Sequence, residues 1–463
     1  SRLKISKKPP RSGIVFTQWP RQVRISNTAT TYSESPSAPA ERAILVGLAA
    51  NGVSKSEVED TVDELALLAD TAGAVVVDLV IQDRDRPDKR YFIGKGKAEE
   101  VRDLAEEVDA GVVIFDDDLS PAQTRNLEEM IDRKIIDRSR LILDIFSSRA
   151  RTKEAQTQVE LAQLIYMLPR LTRQWTHLSR QAGGSGGIGL RGPGETQLEI
   201  DRRASRSRIN SLEKALDKIA KQRETGRKQR EGVFKTALVG YTNAGKSTLL
   251  QCLSGADVFI EDRLFATLDS TTRRVHLGYN RDVLTTDTVG FIRKLPHHLV
   301  ASFRSTLEET VLADLLLHVV DAGYEHYEEH IETVGQVLAD LGIVDRPTLL
   351  VFNKIDRIDV DTREDLRTTY PDAVFVSGLT GDGMDRLKSQ IYHHLEGARV
   401  TLELSLPQSE GRLISELHRI GEVTSTAYKG NDVLLTVKIS AENAKRMLPN
   451  GRFSVNTKKE ATG

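Results

Sequence analysis

The stretch Gly240-Tyr241-Thr242-Asn243-Ala244-Gly245-Lys246-Ser247 decides how this chain is to be read. Its spacing, G-x-x-x-x-G-K-S, is that of a loop that wraps a phosphate with inward-pointing backbone N–H groups. Gly245 can take the left-handed angles such a wrap needs, with no Cβ to block the approach. Lys246 brings a point charge to the β- and γ-phosphates, and Ser247 a hydroxyl to Mg²⁺. The preceding Lys235-Thr236-Ala237-Leu238-Val239 is apolar enough for a buried strand, and Ser247-Thr248-Leu249-Leu250-Gln251-Cys252-Leu253 reads as a helix. Strand, glycine loop and helix make an anion site, because the helix N-terminus adds its dipole. Gly240 to Thr248 are therefore expected to hold a nucleoside triphosphate.

Asn353-Lys354-Ile355-Asp356 selects the base. A carboxylate can accept from both the N1–H and the exocyclic amine of guanine; adenine offers no such donor pair and would leave the acceptor unpaired. Asp356 is the expected acceptor, Asn353 the brace of the loop, and the Lys354 stem a cover for the purine face. The motif follows Thr348-Leu349-Leu350-Val351-Phe352, so it sits at a strand's carboxyl end, where doubly wound sheets bind ligands. Between the two motifs lies Asp287-Thr288-Val289-Gly290: Asp287 is expected to hold Mg²⁺ through water, and the Gly290 N–H to sense the γ-phosphate. Thr267, in Leu264-Phe265-Ala266-Thr267-Leu268-Asp269, is the expected first-switch threonine, with Thr271 and Thr272 as rivals. The turn Ser377-Gly378-Leu379 after Val374-Phe375-Val376 offers backbone to the guanine O6. In this order the elements read as a GTPase domain that binds GTP or GDP with Mg²⁺. Lys246, Thr267 and Gly290 stand nearest the chemistry, and Ser247, Thr267 and Asp287 nearest the metal.

Many such enzymes orient the attacking water with a glutamine directly after that glycine. Here the position is Phe291, which can neither donate to nor accept from water, and which can also simply pack the switch. Slow unaided hydrolysis follows, with stimulation by whatever docks on the switches. Arg273, Arg274, Arg293 and Arg304 either supply charge in cis or form a solvated basic surface, and the second reading is preferred. Asn243 either helps to hold a monovalent cation or only tolerates a strained turn.

A chain of 463 residues has room for more than this domain. Its composition is that of a soluble globular protein with net charge −2, and no apolar stretch reaches membrane-spanning length. Cys252 is the sole cysteine, which argues for a reducing compartment. Ser1 reads as the residue left after an initiator Met. The first segment, with Arg2, Lys4, Lys7, Lys8, Arg11, Arg21 and Arg24 and no acid before Glu34, reads as a disordered extension, an organellar transit peptide or an RNA-binding arm. Thr28 to Ala40 is linker-like.

Residues 41 to about 146 alternate strand and helix patterns: apolar runs at Ala43 to Leu48, Ala74 to Val80 and Gly111 to Asp116, with a helix from Ser54, whose Ser-x-x-Glu box ends at Glu57. An α/β domain with a mainly parallel sheet is expected. Phe92 to Lys97, ahead of a helix at Ala98 to Glu107, is read as a tight turn more than as a second nucleotide site. From about Thr152 long helices take over. Leu161, Leu164, Ile165 and Leu168 share one face, and Ile209, Leu212, Leu216 and Ile219 share another, as in a two-helix coiled coil. Ala182 to Gly194, rich in glycine, joins them, and Arg170, Arg173, Arg180, Arg191, Arg202, Arg203, Arg206 and Arg208 cluster around this tip. Such a tip is a floppy loop or an RNA probe, and concentrated arginines favour RNA through phosphate neutralisation and stacking, with Arg173, Arg180, Arg191, Arg202 and Arg203 as the contacts. From about Arg399, half-buried strands at Val400 to Leu404 and Asp432 to Val437 with a helix at Gly411 to Arg419 suggest a small α+β module. The expected domains are thus 1–40, 41–150, 151–231, 232–396 and 397–463.

From Glu41 onward the chain resembles the HflX family of GTPases. The resemblance is carried by Tyr91-Phe92-Ile93-Gly94-Lys95-Gly96-Lys97, by Asp137 to Phe146, by Gln158-Val159-Glu160-Leu161-Ala162, by Gly192-Pro193-Gly194-Glu195-Thr196-Gln197-Leu198-Glu199, by Gly240 to Ser247 and by Phe265 to Asp269. It implies binding to the large ribosomal subunit and its 23S-type rRNA, with the hairpin loop directed toward the peptidyl transferase region. It also implies splitting or rescue of stalled 70S ribosomes under stress, and a GTPase stimulated by the ribosome. A monomer working in the cytoplasm is expected, with an organelle as the alternative setting. Ser270 departs from the proline common in the family after Leu-Asp, and the basic extension is not a regular family feature. Two other readings stand beside this one: a GTP-driven RNA-modification or ribosome-assembly factor, and a signalling switch with a protein partner, against which the arginine-rich hairpin argues.

Overall fold

The computed structural model describes residues 40–50, 52–181, 193–228, 233–255, 264–278, 281–294, 296, 309–343, 345–440, 444 and 454–458; for 171–181, 193–198, 224–228, 440 and 454–458 it describes the backbone alone. The basic extension and residues 182–192 of the glycine-rich tip fall outside these residues, whereas Pro193 and Gly194, read as part of that tip, open a helix.

The first domain is a parallel sheet in the order β2-β1-β3-β4, with β1 Arg42–Ala49, β2 Val75–Asp83, β3 Val112–Phe115 and β4 Lys134–Asp137. The strands β1 and β3 are buried on both faces, which is why they read as unbroken apolar runs. Ser54 starts helix α1 (Lys55–Thr71) by accepting from the Glu57 N–H at 3.1 Å, as the box predicts. Helix α2 runs Lys95–Glu107, so the Lys95-Gly96-Lys97 segment read as a turn is its first turn instead, entered through Phe92 at φ +67°. Helices α3 (Pro121–Ile131) and α4 (Arg138–Arg149) complete two layers, α3 packing with α2 on one face of the sheet and α4 with α1 on the other.

Two long helices follow, α5 (Lys153–Gln181) and α6 (Pro193–Lys228). Arg223 to Glu154 (2.8 Å) and Arg208 to Glu160 (2.7 Å) tie them together, and Leu212 is buried between exposed neighbours. Of the apolar face expected on α5, Leu161 is buried. Leu164, Ile165 and Leu168 are half-buried, whereas Ala155, Val159, Ala162 and Tyr166, one turn apart, enter the core of the first domain. The helix thus serves two partners, and a single apolar stripe underestimates it.

The central sheet has the order β10-β9-β8-β5-β7-β6, with β5 Lys235–Gly240, β6 Thr271–Gly278, β7 Arg281–Asp287, β8 Leu315–Asp321, β9 Thr348–Asn353 and β10 Val374–Phe375. Only the edge strand β6 runs antiparallel to its neighbour. Strand β5 pairs on both sides, and the phosphate loop leaves its carboxyl end to enter α7 (Lys246–Ser254). The chain closes with an antiparallel sheet of β11 Arg399–Pro407, β12 Glu422–Lys429, β13 Asp432–Ser440 and β14 Ser454–Lys458, with the helix Gly411–Ile420 packed through Leu417. A P-loop GTPase domain therefore follows an α/β domain with a helical hairpin and precedes a small α+β domain.

One apolar core is shared. Leu141, Ile145 and Phe146 of α4 pack with Tyr241, Phe265, Leu268, Val289 and Ile292 from the loops around the β5 phosphate loop. Phe146 and Phe265 meet edge-on, with centroids 4.7 Å apart. Beside this core Arg138, 1% exposed, donates to Asp116 at 2.7 Å and to Glu64. Lys294 reaches the same Asp116 and Asp117, each at 2.6 Å. Burial opposes the charge on Arg138, but Glu64 and Asp116 outweigh it and hold the guanidinium ionised.

Candidate nucleotide site

A single cleft of ≈ 370 Å³ runs along the carboxyl ends of β5, β7 and β9, lined from Thr242 through Thr248 and Thr267 to Asp356 and Leu379. Gly245 sits at φ +87°, and a Cβ there would lie 2.4 Å from Asn353 Nδ2, so only glycine fits. Lys246 is buried, and its Nζ donates to the carbonyls of Gly240 (3.1 Å) and Tyr241 (2.8 Å). Burial lowers its pKa to about 8 against the pull of Asp287, with Lys354 adding to the fall.

Three side chains, Ser247, Thr267 and Asp287, bring oxygens together beside it. Ser247 Oγ donates to Asp287 Oδ2 at 2.6 Å and lies 2.7 Å from Thr267 Oγ1, which donates to the same carboxylate oxygen at 3.0 Å. The other oxygen, Asp287 Oδ1, is buried and has no hydrogen-bond partner among the described residues. Burial raises this carboxyl, while Lys246, Ser247 and Thr267 work to lower it. Two hydroxyls and a buried carboxylate with an orphaned oxygen suit a small hard cation. The rival threonines do not join them: Thr271 opens β6, and Thr272 bonds to Thr286 across the strand pair at 2.9 Å.

Thr288 donates to the Leu238 carbonyl at 2.6 Å, Val289 is buried, and Gly290 presses on the phosphate loop. A Cβ on Gly290 would lie 2.6 Å from Thr242 Cα and 3.0 Å from Lys246 Nζ. Phe291 is 1% exposed and packs with Ala237, Val239 and Leu316, away from the cleft. Its backbone clasps the loop, donating to the Gly240 carbonyl (3.1 Å) and accepting from the Thr242 N–H (2.7 Å).

At the far end Asn353 Nδ2 donates to the Ala244 carbonyl at 2.9 Å, and its Oδ1 accepts from the Gly378 N–H at 2.9 Å. Lys354, at φ +63°, donates to the Asn243 carbonyl (2.7 Å) and pairs with Asp321 (2.8 Å). Asp356 Oδ1 accepts from Ser377 Oγ at 2.5 Å, and Leu379 is 80% exposed at the rim.

Residues 235–354 match the family model described as 50S ribosome-binding GTPase, residues 59–147 the GTP-binding GTPase N-terminal model, and residues 149–230 the GTP-binding GTPase Middle Region. The chain is 46% identical to the GTPase HflX of Escherichia coli over 384 residues, 82% of this chain and 89% of that one. It is 44% identical to the GTPase HflX of Flavobacterium psychrophilum over 383 residues, 78% and 92% of the two chains. The chain belongs to the HflX family of GTPases. Like the rest of the family it hydrolyses GTP. A solved GTP-binding protein from Sulfolobus solfataricus, in complex with GDP, is similar at 24% identity over 76% of this chain and 98% of that one, with a TM-score of 0.40.

Within this HflX-family chain several basic residues stand where the sequence did not put them. Arg293 is no solvated surface charge: its side chain is 15% exposed and paired with Glu329. Arg273 and Arg274 are exposed on β6, and Arg304 lies outside the described residues. Arg170, grouped by its type with the hairpin tip, sits near the first domain, where it bonds to Asp137 (2.8 Å) and the Leu119 carbonyl (2.9 Å) and stacks on Tyr166 at 3.5 Å. Arg208 pairs with Glu160. Arg202 is half-buried and Arg203 exposed on α6; the side chains of Arg173, Arg180 and Arg191 lie outside the described residues.

Sequence reading missed the partners of Tyr241, which lie on other parts of the chain. Its hydroxyl bonds to Glu64 and accepts the Arg293 N–H at 2.7 Å. Also missed was the Thr242 hydroxyl, which accepts from the Phe265 N–H at 2.9 Å and so links the phosphate loop to the segment that carries Thr267. Among the described residues no helix is long and apolar enough to cross a membrane.

Proposed function

We propose that this GTPase, in its GTP state, binds the large ribosomal subunit through the arginine- and glycine-rich hairpin tip and splits or rescues stalled 70S ribosomes, and that the ribosome stimulates hydrolysis. The observation that carries it is Phe291. The side chain at the usual water-orienting position is buried in the domain core, so water positioning has to come from elsewhere, and a docked partner is the natural source. The match of residues 235–354 to a 50S ribosome-binding GTPase supports the choice of partner.

In this reading Lys246 stabilises charge on the β- and γ-phosphates, and the Gly290 N–H bonds to the γ-phosphate. Ser247, Thr267 and Asp287 would hold Mg²⁺, which would neutralise charge on the phosphate oxygens. Asp356 accepts from guanine, Lys354 covers its face, Asn353 braces the loop, and the Ser377-Gly378-Leu379 backbone meets the guanine O6. Arg173, Arg180, Arg191, Arg202 and Arg203 meet rRNA phosphates and bases. The protein acts as a monomer in the cytoplasm.

Sucrose-gradient sedimentation of 70S particles with the protein and a non-hydrolysable GTP analogue tests this. Subunit release and co-migration with the large subunit are expected; unchanged 70S particles with no co-migration overturn it. Binding to immature subunits alone would favour the assembly factor. Replacing Arg180, Arg191 and Arg202 together should weaken binding, flatten its salt dependence and reduce the stimulation of GTPase by large subunits.

A further inference from the structure

We propose that Asp269 is a positioning residue for GTP hydrolysis, fastening the first-switch threonine Thr267 to the root of the helical hairpin. The inference rests on the role given above to Thr267.

Asp269 lies two residues beyond Thr267, yet its hydrogen bonds go to chain more than a hundred residues earlier. Its Oδ2 accepts from the backbone N–H groups of Arg151 (3.1 Å) and Thr152 (3.2 Å), and its Oδ1 accepts from the Thr152 hydroxyl. Thr152 Oγ1 in turn accepts from the Ala155 N–H at 3.1 Å, which caps the first turn of α5. A carboxylate there completes the cap and complements the positive end of the helix. The intervening Leu268 is 2% exposed in the shared core, and Phe265, also 2% exposed, is pinned against Phe146. The peptide carrying Thr267 is therefore held on both sides by the first domain and the hairpin root. Its hydroxyl points the other way, into the cluster with Ser247 and Asp287. Two residues span at most about 7 Å of chain, so a shift at Asp269 reaches Thr267 with little slack to absorb it.

A role confined to capping α5 would alter the stability of the protein and treat all nucleotides alike. A positioning role is selective, because Thr267 concerns the γ-phosphate and its cation, and GDP has no γ-phosphate. Fluorescence titrations with mant-GDP and with mant-GppNHp in excess MgCl₂, together with kcat and KM for GTP and apo-protein melting, separate the two. Asp269→Ala is expected to weaken the triphosphate analogue roughly tenfold and to lower kcat, with GDP affinity held within about twofold. Asp269→Asn should recover most of the loss, since its oxygen can keep the two N–H contacts and its amide can donate to Thr152 Oγ1. Thr152→Val, which removes the hydroxyl bond and leaves the two backbone N–H bonds, should weaken the analogue in the same selective way but less than Asp269→Ala, and add little to Asp269→Ala in the double variant. Thr267→Ala is the reference. If it weakens the analogue selectively while Asp269→Ala and Thr152→Val affect both nucleotides equally or neither, the positioning role is overturned. If Thr267→Ala is itself indifferent to the γ-phosphate, the assignment of Thr267 fails and this proposal fails with it.

Discussion

Tyr241 of the phosphate loop lies flat against His330, with ring centroids 3.6 Å apart and planes 7° from parallel. Tyr324 covers the other contact of that imidazole at 4.2 Å. A ring so enclosed resists a proton.

Burial first, then the positive charges of Arg293 and His326, push the His330 pKa from 6.5 down to about 3. The unfolded chain therefore binds a proton over a range where the folded protein does not. Stability linked to His330 is complete above pH 6.5 and is lost as pH falls toward 3. Urea unfolding at pH 7, 5 and 4 should show a shallower decline for His330→Phe, which keeps the stack, than for the parent. Equal slopes would exclude His330 as a source of the acid sensitivity.

Asn353→Ala should weaken GDP and GTP alike. It removes the bond to the Ala244 carbonyl and orphans the Gly378 N–H, at about 1–3 kcal/mol for a buried group left unsatisfied. Titration with fluorescent nucleotides is expected to read a loss of roughly ten- to a hundredfold. Unchanged affinity would mean that the phosphate loop holds its shape unaided.

Gly290→Ala, in contrast, should spare GDP. The new methyl would meet Thr242 Cα and crowd Lys246 Nζ, so the segment must leave the loop it clasps. Overpacking of this kind costs about 1–3 kcal/mol. Stimulated and unstimulated GTPase rates should both fall by an order of magnitude or more, roughly. Wild-type rates would show that the segment moves away before the chemical step.

Arg138→Leu leaves Asp116 and Glu64 without their buried partner and should destabilise the fold by about 3–5 kcal/mol. The midpoint of chemical unfolding is the measurement; a change below about 1 kcal/mol would assign the cluster's stability to Lys294 instead.

Asp356→Asn should trade guanine for xanthine. One acceptor oxygen becomes an amide donor, which no longer suits the guanine amine but does suit the xanthine carbonyl at the same ring carbon. Competition between GTP and XTP reads the switch directly.

The phosphate loop and Asn353 to Asp356 were legible because a nucleotide constrains short runs of chain: Gly245 and Lys246 must be neighbours for one phosphate to meet both. The sequence leaves Thr267 among rivals, since nothing local separates it from Thr272; in the structure Thr267 meets Ser247 and Asp287, while β6 pairs Thr272 with Thr286. The Glu64–Arg138–Asp116–Lys294 cluster had no local signature at all. Its members are 178 residues apart at the extremes of one bond, and charges carry no periodicity that names a distant partner. Arg170 was misplaced for the same reason: residue type suggested RNA, while Asp137 and Tyr166 claim it. The second buried stripe of α5 was hidden by alanines at Ala155 and Ala162, small residues that pack closely without raising a hydrophobic pattern.

The core shared by α4 and the switch loops has a practical corollary for anyone who trims this chain. A fragment reduced to residues 233–397 would turn Phe265, Leu268 and Ile292 out into water. Contiguous apolar surface of that kind drives self-association. Aggregation, rather than a catalytic defect, is the first behaviour to look for in such a fragment, and its measured rates would describe an enzyme with an open wound on the side where its switches normally rest.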